Sequence, residues 1–107
     1  MNCVWEILVP YKMGKKTVQV PYHQLWDEQV KRIAGGLTIQ RAAKGIWLSK
    51  ETGKTHKELM IPVRIVCTKA DIMLIAAVTV KHYQQEKVLV MKISDECFFF
   101  PLDTSNI

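Results

Sequence analysis

The residues in this sequence whose types and spacing could carry chemistry form two short pairs, each containing a histidine. His23 stands four residues before Asp27, and His82 directly precedes Tyr83. A histidine one helical turn from a carboxylate more often forms a local hydrogen bond or a solvated pair, but the same spacing can also orient a general acid–base group. We therefore take His23, His82 and Tyr83 as the catalytic candidates and leave a purely structural role open for each.

A second group of candidates, Lys44, Trp47 and Arg64, would serve ligand binding. Lys44 and Trp47 flank the Gly45-Ile46 step. A glycine on a bulged strand beside these side chains can shape a small pocket, or it can simply make room for a packed tryptophan. Arg64 is the only charged residue in 59–67, and a guanidinium there can hold an anion. The ligand expected from this group is small and anionic.

The spacing of the cysteine, histidine and glycine residues does not indicate a metal or cofactor site. Cys3, Cys67 and Cys97 are an odd set without CxxC spacing, which argues against a disulfide framework and against a zinc site. No histidine–cysteine pair has metal-ligand spacing either. Gly35-Gly36 follows an apolar helical pattern, so a helix cap explains it better than a phosphate-binding loop. We expect no metal, no cofactor and reduced thiols.

Length and charge limit the class of protein. The chain has 107 residues and a net charge of +5, and twelve of its fifteen basic residues are lysines spread from Lys12 to Lys92. Scattered lysines are typical of a solvated surface, whereas nucleic-acid sites cluster their charge and use arginine. No apolar stretch is long enough for a membrane span, and the first residues do not resemble a signal peptide. These features predict one cytoplasmic domain over 1–107, frayed from about residue 102, with nucleic acid and membrane as unfavoured partners.

Strands of alternating polarity must position several of these residues. In 59–67 every odd residue is apolar, and three of the four even residues are apolar as well. A strand of this kind needs a partner on both faces. The segment 3–9 alternates in the same way, with apolar odd residues. If the two segments pair as antiparallel neighbours through their cysteines, Glu6 faces Arg64.

The remaining elements follow from periodicity and from helix-boundary residues. Pro21 opens a first helix, which Gly35-Gly36 ends. The apolar stripe of this helix consists of Tyr22, Leu25, Trp26, Val30 and Ile33. Thr68 caps a second helix over about 69–85. Further strands are predicted over 37–48, 88–93 and 97–100. The apolar residues of the first of these change parity, which predicts a bulge near Lys44-Gly45.

The resulting order of elements is β-α-β-β-α-β, with short additional strands near residues 17 and 98. The economical fold for this order is a ferredoxin-like α+β sandwich, in which an antiparallel sheet carries both helices on one face. The first and third strands are neighbours in this fold. Glu6 and Arg64 would then point to the side of the sheet away from the helices.

The side of the sheet away from the helices, which we call the open face, would be mostly apolar. Its members are Val4, Glu6, Leu8, Met60, Pro62, Arg64 and Val66, to which the last strand adds Val88, Val90 and Lys92. An exposed apolar patch of this size is a liability in a monomer, so we predict that a second copy covers it and forms a homodimer. The Glu6–Arg64 pair is then either a buried ion pair that orients the interface or a salt bridge at its rim.

Several short motifs, distributed over most of the chain, carry a resemblance to other proteins. They are His23-x-x-Trp26-Asp27, Gly35-Gly36-Leu37-Thr38-Ile39, Lys44-Gly45-x-Trp47, Met60-Ile61-Pro62-Val63-Arg64-Ile65 and His82-Tyr83-x-Gln85. Through these motifs the chain resembles a family of small uncharacterised bacterial proteins with the same order of helices and strands. Some members of that family are encoded on mobile genetic elements. The resemblance implies the ferredoxin-like fold and no assigned activity.

Three functions remain open from the sequence. The first is a homodimeric interaction module that binds a small ligand. The second is a small acid–base enzyme of the dimeric α+β type, with a pocket between the sheet and the helices. The third is a nucleic-acid-binding accessory protein, for which only the net charge argues. RNA-recognition domains share the topology, but they stack bases on aromatic side chains that the open face lacks.

Overall fold

The computed structural model describes residues 1–102, so the tail expected to fray from about residue 102 lies almost wholly outside the described residues. In chain order the elements are strands β1 (Cys3–Pro10), β2 (Lys12–Met13) and β3 (Lys16–Thr17), helix α1 (Val20–Ala34), strands β4 (Thr38–Ile39), β5 (Ala43–Leu48) and β6 (Thr55–Cys67), helix α2 (Lys69–Tyr83), and strand β7 (Val90–Ser94). No helix within residues 1–102 combines the length and the apolar character that crossing a bilayer requires.

The principal sheet has five antiparallel strands and confirms the ferredoxin-like α+β fold. Its order is β4-β6-β1-β7, and β5 pairs with the outer part of β6 beside β4. Strands β2 and β3 form a separate small hairpin. Both helices pack on the same face of the sheet, because the odd residues of β1 and the inner part of β6 join the helix residues in one apolar core.

The predicted register between β1 and β6 is confirmed. Cys3 lies opposite Cys67, and Glu6 lies opposite Arg64. The odd residues of 3–9 and of 63–67 are buried, whereas the even ones are half-buried or exposed. Ile61 is half-buried, and Leu59, which was expected on the buried side, is exposed because it lies beyond the end of β1. Since side chains alternate with a period of two, this one register sends every odd side chain towards the helices.

The two helices begin and end close to the predicted residues. Helix α1 starts at Val20, with Pro21 in its first turn, and Gly35 caps it at φ 88° in the left-handed region. Its stripe buries Trp26 and Val30, but Leu25 is 61% exposed, so the prediction for Leu25 was wrong.

The N-terminal cap of α2 is the predicted one. The Thr68 hydroxyl accepts a hydrogen bond from the Asp71 amide at 3.2 Å. The helix ends at Tyr83, two residues earlier than predicted, where Gln84 adopts φ 53°. This left-handed residue turns the chain back towards the sheet and so sets the start of the segment leading to β7.

The strand region predicted over 37–48 divides into two strands, and its irregularity lies elsewhere than expected. Thr38 lies opposite Arg64, whereas Ala43 lies opposite Met60. Five steps along one strand therefore match four steps along β6, so the extra residue falls within 40–42. The bulge predicted at Lys44-Gly45 was wrong, because those two residues pair regularly with β6.

The last strand differs from the prediction in which of its residues face the helices. Val90 pairs with Ile7, and Lys92 pairs with Trp5, so both share the side of the sheet that faces the helices. Val88 and Val90 pack against the core. Assigning Val88, Val90 and Lys92 to the open face was therefore wrong, and Met91, opposite Glu6, takes that place. Residues 97–100 form no strand.

Strand β6 is longer than the sequence suggested, and its outer part forms an arm with β5. Strand β1 ends at Pro10, opposite Met60, so residues 55–59 pair only with β5. This hairpin, which we call the arm, contributes to extents of 61 × 30 × 25 Å and a radius of gyration of 16.2 Å. A compact domain of this length has a radius of gyration of about 13 Å. The arm carries exposed apolar residues, namely Ile46, Trp47, Leu48 and Leu59.

Candidate functional site

The three catalytic candidates come together where the first turn of α1 meets the end of α2. The Nδ1 atom of His23 lies 2.6 Å from the hydroxyl oxygen of Tyr83. Tyr83 is fully buried. Its hydroxyl has no other hydrogen-bond partner within residues 1–102, so we assign the tyrosine proton to this bond. His23 then accepts at Nδ1 and carries its own proton on Nε2.

His82 joins the same cluster through Tyr22. The two rings stack with their centroids 4.2 Å apart. The Nε2 atom of His82 lies 2.8 Å from the backbone carbonyl of Tyr22, and the Tyr22 hydroxyl donates to the backbone carbonyl of His82. These reciprocal bonds tie the start of α1 to the end of α2. His82 therefore uses its Nε2 atom and its backbone carbonyl to hold the two helices together.

Burial shifts the pKa of three groups of the site towards the neutral form. It lowers the pKa of His23; Asp27 opposes this effect in part and His82 adds to it. Burial also raises the pKa of Asp27 and that of Tyr83. A neutral histidine that accepts from a tyrosine at Nδ1 presents its Nε2–H as a hydrogen-bond donor. Since the pKa of His23 is lowered and that of Tyr83 is raised, the arrangement suits a polar ligand contact better than proton transfer.

A cavity of about 240 Å³ opens between α1 and the sheet beside this cluster, and His23, Asp27 and Tyr83 line it. This is the pocket between sheet and helices that the enzyme hypothesis required. Beneath it, the Trp26 indole donates to the Thr79 hydroxyl at 2.9 Å, and that hydroxyl donates to the carbonyl of Ile75. These bonds fix the floor of the site.

The open face carries a small polar network at its centre. The Arg64 Nε atom lies 3.2 Å from Glu6 Oε1, and the Gln40 amide donates to the same oxygen at 3.0 Å. The apolar residues expected on this face are half-buried, namely Val4, Leu8, Met60, Pro62 and Val66. Arg64 itself is exposed, so within a single chain the pair lies at the surface.

Trp47 forms one wall of a cleft on the open face, which we call the Trp47 cleft. A Cβ atom added at Gly45 would lie 2.9 Å from Trp47 Cζ3, so the indole lies over the glycine. The cleft has a volume of about 710 Å³ between the arm and the segment 84–89. Its other lining residues are Leu8, Ile46, Glu58, Met60, Gln84, Gln85, Glu86, Lys87 and Leu89.

The structure does not bring the three ligand-binding candidates together. Lys44 lines a cleft of about 600 Å³ on the other side of the arm, near Lys12 and Lys57. Arg64 lines a third cleft of about 410 Å³, beside the C-terminus of α1. Trp47 belongs to neither of these clefts. Lys44 and Trp47 lie on opposite sides of the arm because alternate residues of β5 face opposite sides, and Arg64 lies on β6, away from both.

Sequence reasoning did not find Tyr22, Gln40 or the carboxylates of the Trp47 cleft. The carboxylates Glu58 and Glu86 are 28 positions apart in the sequence, and only the turn after α2 places the second near the arm. Tyr22 carried a usable signal, since it lies one residue before His23 on the predicted helix. No group of three histidine, cysteine, aspartate or glutamate side chains suited to a metal occurs within residues 1–102.

Comparison with solved structures finds the same fold in two kinds of protein. The CutA1 divalent cation tolerance protein from Thermus thermophilus is 12% identical, with a TM-score of 0.63 over 91% of this chain and 88% of that chain. CutA1 from Oryza sativa is 10% identical, with a TM-score of 0.68 over 92% and 83% of the two chains. A phage SAM lyase in complex with S-methyl-5′-thioadenosine is 16% identical, with a TM-score of 0.62 over 89% and 85%. At these identities the likeness shows the fold alone. No protein-family model and no curated protein matches the chain.

Proposed function

We propose that the chain is a self-associating binding domain whose Trp47 cleft holds an adenosine-type nucleoside. The observation that carries this proposal is the Trp47 indole, which lies over Gly45 and forms an aromatic wall of a cleft of about 710 Å³. This volume falls within the range of natural small-molecule sites. Stacking of a nucleobase on an aromatic side chain contributes about 1–3 kcal/mol.

The charge of the Trp47 cleft narrows the class of ligand. Glu58, Glu86 and Lys87 line it, so its charged lining consists of two carboxylates and one ammonium group, although the whole chain carries +5. Carboxylates accept hydrogen bonds from ribose hydroxyls, attract a cation and repel a phosphate. A nucleoside without phosphate, either neutral or with a cationic substituent, suits this cleft better than a nucleotide.

A structural neighbour supplies the most specific member of this class. The phage SAM lyase of the same fold holds S-methyl-5′-thioadenosine, an adenosine thioether. We extend this ligand to the present chain because an aromatic wall and two carboxylates suit a purine and a ribose. The CutA1 neighbours suggest a divalent cation instead, but no cluster of three metal-ligating side chains within residues 1–102 favours it.

Self-association is the second part of the proposal, and a second copy of this chain is the partner. Apolar side chains remain uncovered on the open face and on the arm. Glu6 and Arg64 neutralise each other at the centre of the open face, so two identical faces can approach without net repulsion. We also propose the finer expectations from the sequence. These are a homodimer, a single domain over 1–107, a cytoplasmic location and relatives on mobile elements. Binding of a small anion at Lys44 or at Arg64 is likewise a proposal.

The test of self-association is the mass in solution at micromolar concentration. Wild type should scatter light as a multiple of the 12.3 kDa chain. Val66→Lys should lower the mass towards one chain, because it brings a charge into an apolar interface. Met73→Lys, at a 63% exposed residue of α2, is the matched control and should leave the mass unchanged. A wild-type mass of one chain would overturn this part of the proposal.

The test of the nucleoside site is calorimetric titration with S-methyl-5′-thioadenosine. Trp47→Ala should weaken binding about tenfold or more, through loss of stacking. Leu48→Ala, at the next residue of β5 and on the opposite side of the arm, should bind like wild type. Incubation with S-adenosylmethionine then separates two roles. A lyase would break the sulfonium C–S bond while the substrate's own carboxylate forms a C–O bond to the same carbon, which releases S-methyl-5′-thioadenosine and a lactone without uptake of water. Binding without release would make the chain a binding module. Absence of nucleoside binding by wild type would overturn the proposal.

A further inference from the structure

The cavity between α1 and the sheet has the construction of a separate ligand site. Its volume is about 240 Å³, and its inner wall includes the buried residues Val9, Trp26 and Val63. Its rim is exposed at Val20 and Ile39. The cavity therefore has an apolar interior that solvent can reach from one side. It lies on the helix side of the sheet and shares no lining residue with the Trp47 cleft.

Four polar side chains line this cavity, namely His23, Gln24, Asp27 and Tyr83, and the donor among them that a neighbouring side chain holds in one tautomer is the His23 imidazole. The Tyr83 hydroxyl donates to Nδ1 of His23 at 2.6 Å, which leaves the imidazole proton on Nε2. Within residues 1–102 the Nε2 atom of His23 makes no hydrogen bond. Burial lowers the pKa of His23, so the ring keeps this neutral, donating form at pH 7. No buried side-chain nitrogen or oxygen within residues 1–102 lacks a hydrogen-bond partner, so the Nε2–H of His23 is open to solvent, and the acceptor of a ligand in the cavity can replace water there.

We propose that this cavity binds a small aromatic molecule with one hydrogen-bond acceptor, held by the Nε2–H of His23. An apolar cavity of about 150 Å³ holds benzene, so a cavity of about 240 Å³ suits a substituted ring. The apolar wall supplies most of the affinity, and His23 orients the polar substituent. Tyr83 acts through His23 as a positioning residue, because its hydroxyl fixes the tautomer of the imidazole.

The probes that test this site are para-cresol and para-xylene, which have similar size and differ in one hydroxyl group. Each is titrated into wild type while the ring ¹⁵N and ¹H signals of the histidines are followed by NMR. Para-cresol should shift the His23 signals and bind about five- to tenfold more tightly than para-xylene, as the loss of one hydrogen bond predicts. Equal affinities for the two probes, or no shift at His23, would overturn the proposal.

Three variants locate the contact. His23→Phe removes the ring donor and should lower the affinity for para-cresol to that for para-xylene, whereas His56→Phe, at an exposed residue of the arm, should behave as wild type. Ile39→Trp should block the mouth and abolish binding of both probes. This variant keeps the proposal falsifiable if His23→Phe does not fold, since Ile39 is 54% exposed. Para-cresol binding that survives Ile39→Trp would overturn the proposal. Binding of S-methyl-5′-thioadenosine should be unchanged in the His23 and Ile39 variants, which separates this site from the Trp47 cleft.

Discussion

Glu6 and Arg64 form an ion pair across the two central strands, with Arg64 Nε 3.2 Å from Glu6 Oε1. The arginine side chain is 49% exposed, and the glutamate side chain is 14% exposed. The Glu6 carboxylate is thus largely covered by its neighbours on the sheet, while the Arg64 side chain lies on the surface beside it. The energy of this pair depends on whether another copy covers the open face, since exposed pairs contribute little and covered ones are costly to break.

A double-mutant cycle on Glu6→Gln and Arg64→Met should therefore give a coupling energy that depends on protein concentration. In the isolated chain the coupling should be under about 1 kcal/mol. In the associated state, removing one partner alone should cost about 3 kcal/mol or more, because the other charge is left buried. Denaturant unfolding at two concentrations, one on each side of the dissociation constant, measures both values. A small coupling at both concentrations would place the pair outside the interface.

The central part of this arrangement could be predicted because it follows from alternation along two strands. A period of two leaves one register in which all odd residues of β1 and of the inner part of β6 face the helices, and that register fixes Glu6 opposite Arg64. The same reasoning failed for β7, because its residues do not alternate clearly between apolar and polar. Val90 and Met91 are both apolar and both half-buried, so the sequence does not reveal which of them faces the helices.

The site itself could be predicted only in part. His23 and Tyr83 are 60 residues apart and lie on different helices, so no local rule joins them. Their types marked them as candidates, but their contact depends on how α1 packs on α2. The parity change over 37–48 was a correct signal of an extra residue. Its position was misjudged, because an extra residue at any point between the two regular strands produces the same change of parity.

Cys3 and Cys67 should react slowly with a thiol reagent in the folded protein. They are partners across the central strands and are both buried. Burial raises the pKa of Cys67 to about 11, so little thiolate forms at pH 8. Cys97 is only half-buried and should react first. Labelling with a chromogenic disulfide should show one fast thiol per chain, which Cys97→Ser removes. Three fast thiols in the folded wild type would contradict the burial of this pair.

Stability should fall as the pH drops below the ordinary histidine value of 6.5, because burial lowers the pKa of His23. Between 6.5 and that lower pKa the unfolded chain binds more protons than the folded one, so acidification favours unfolding. Asp27 acts in a lower pH range and with the opposite sign, since burial raises its pKa above 3.8: its cost appears as the pH rises from 3.8 through the folded pKa.

Denaturant unfolding of wild type between pH 7 and pH 5.5 measures this effect. His23→Gln should show a smaller loss of stability over that range, whereas the exposed-site control His56→Gln should follow wild type. His82 faces His23 and contributes to its low pKa, so His82→Gln should reduce the pH dependence in part. Identical pH profiles for wild type and His23→Gln would show that the imidazole stays accessible to protonation in the folded state.

Gly45 should prove essential for nucleoside binding and dispensable for stability. A Cβ atom at this position would come within 2.9 Å of Trp47 Cζ3, so an alanine must push the indole away. Trp47 is 42% exposed and can swing outwards at little cost. Gly45→Ala should therefore change the free energy of unfolding by about 0.5 kcal/mol or less, as is usual at the surface.

The same substitution should weaken binding of S-methyl-5′-thioadenosine about tenfold, because the displaced indole no longer forms the wall on which the base stacks. Gly36→Ala is the matched control, since a Cβ atom there meets nothing within 4 Å. Trp47→Ala introduced into the Gly45→Ala chain should add little further loss, because both changes remove the same contact. Full additivity of the two losses, or wild-type affinity in Gly45→Ala, would mean that the base stacks elsewhere and that Trp47 does not form the binding wall.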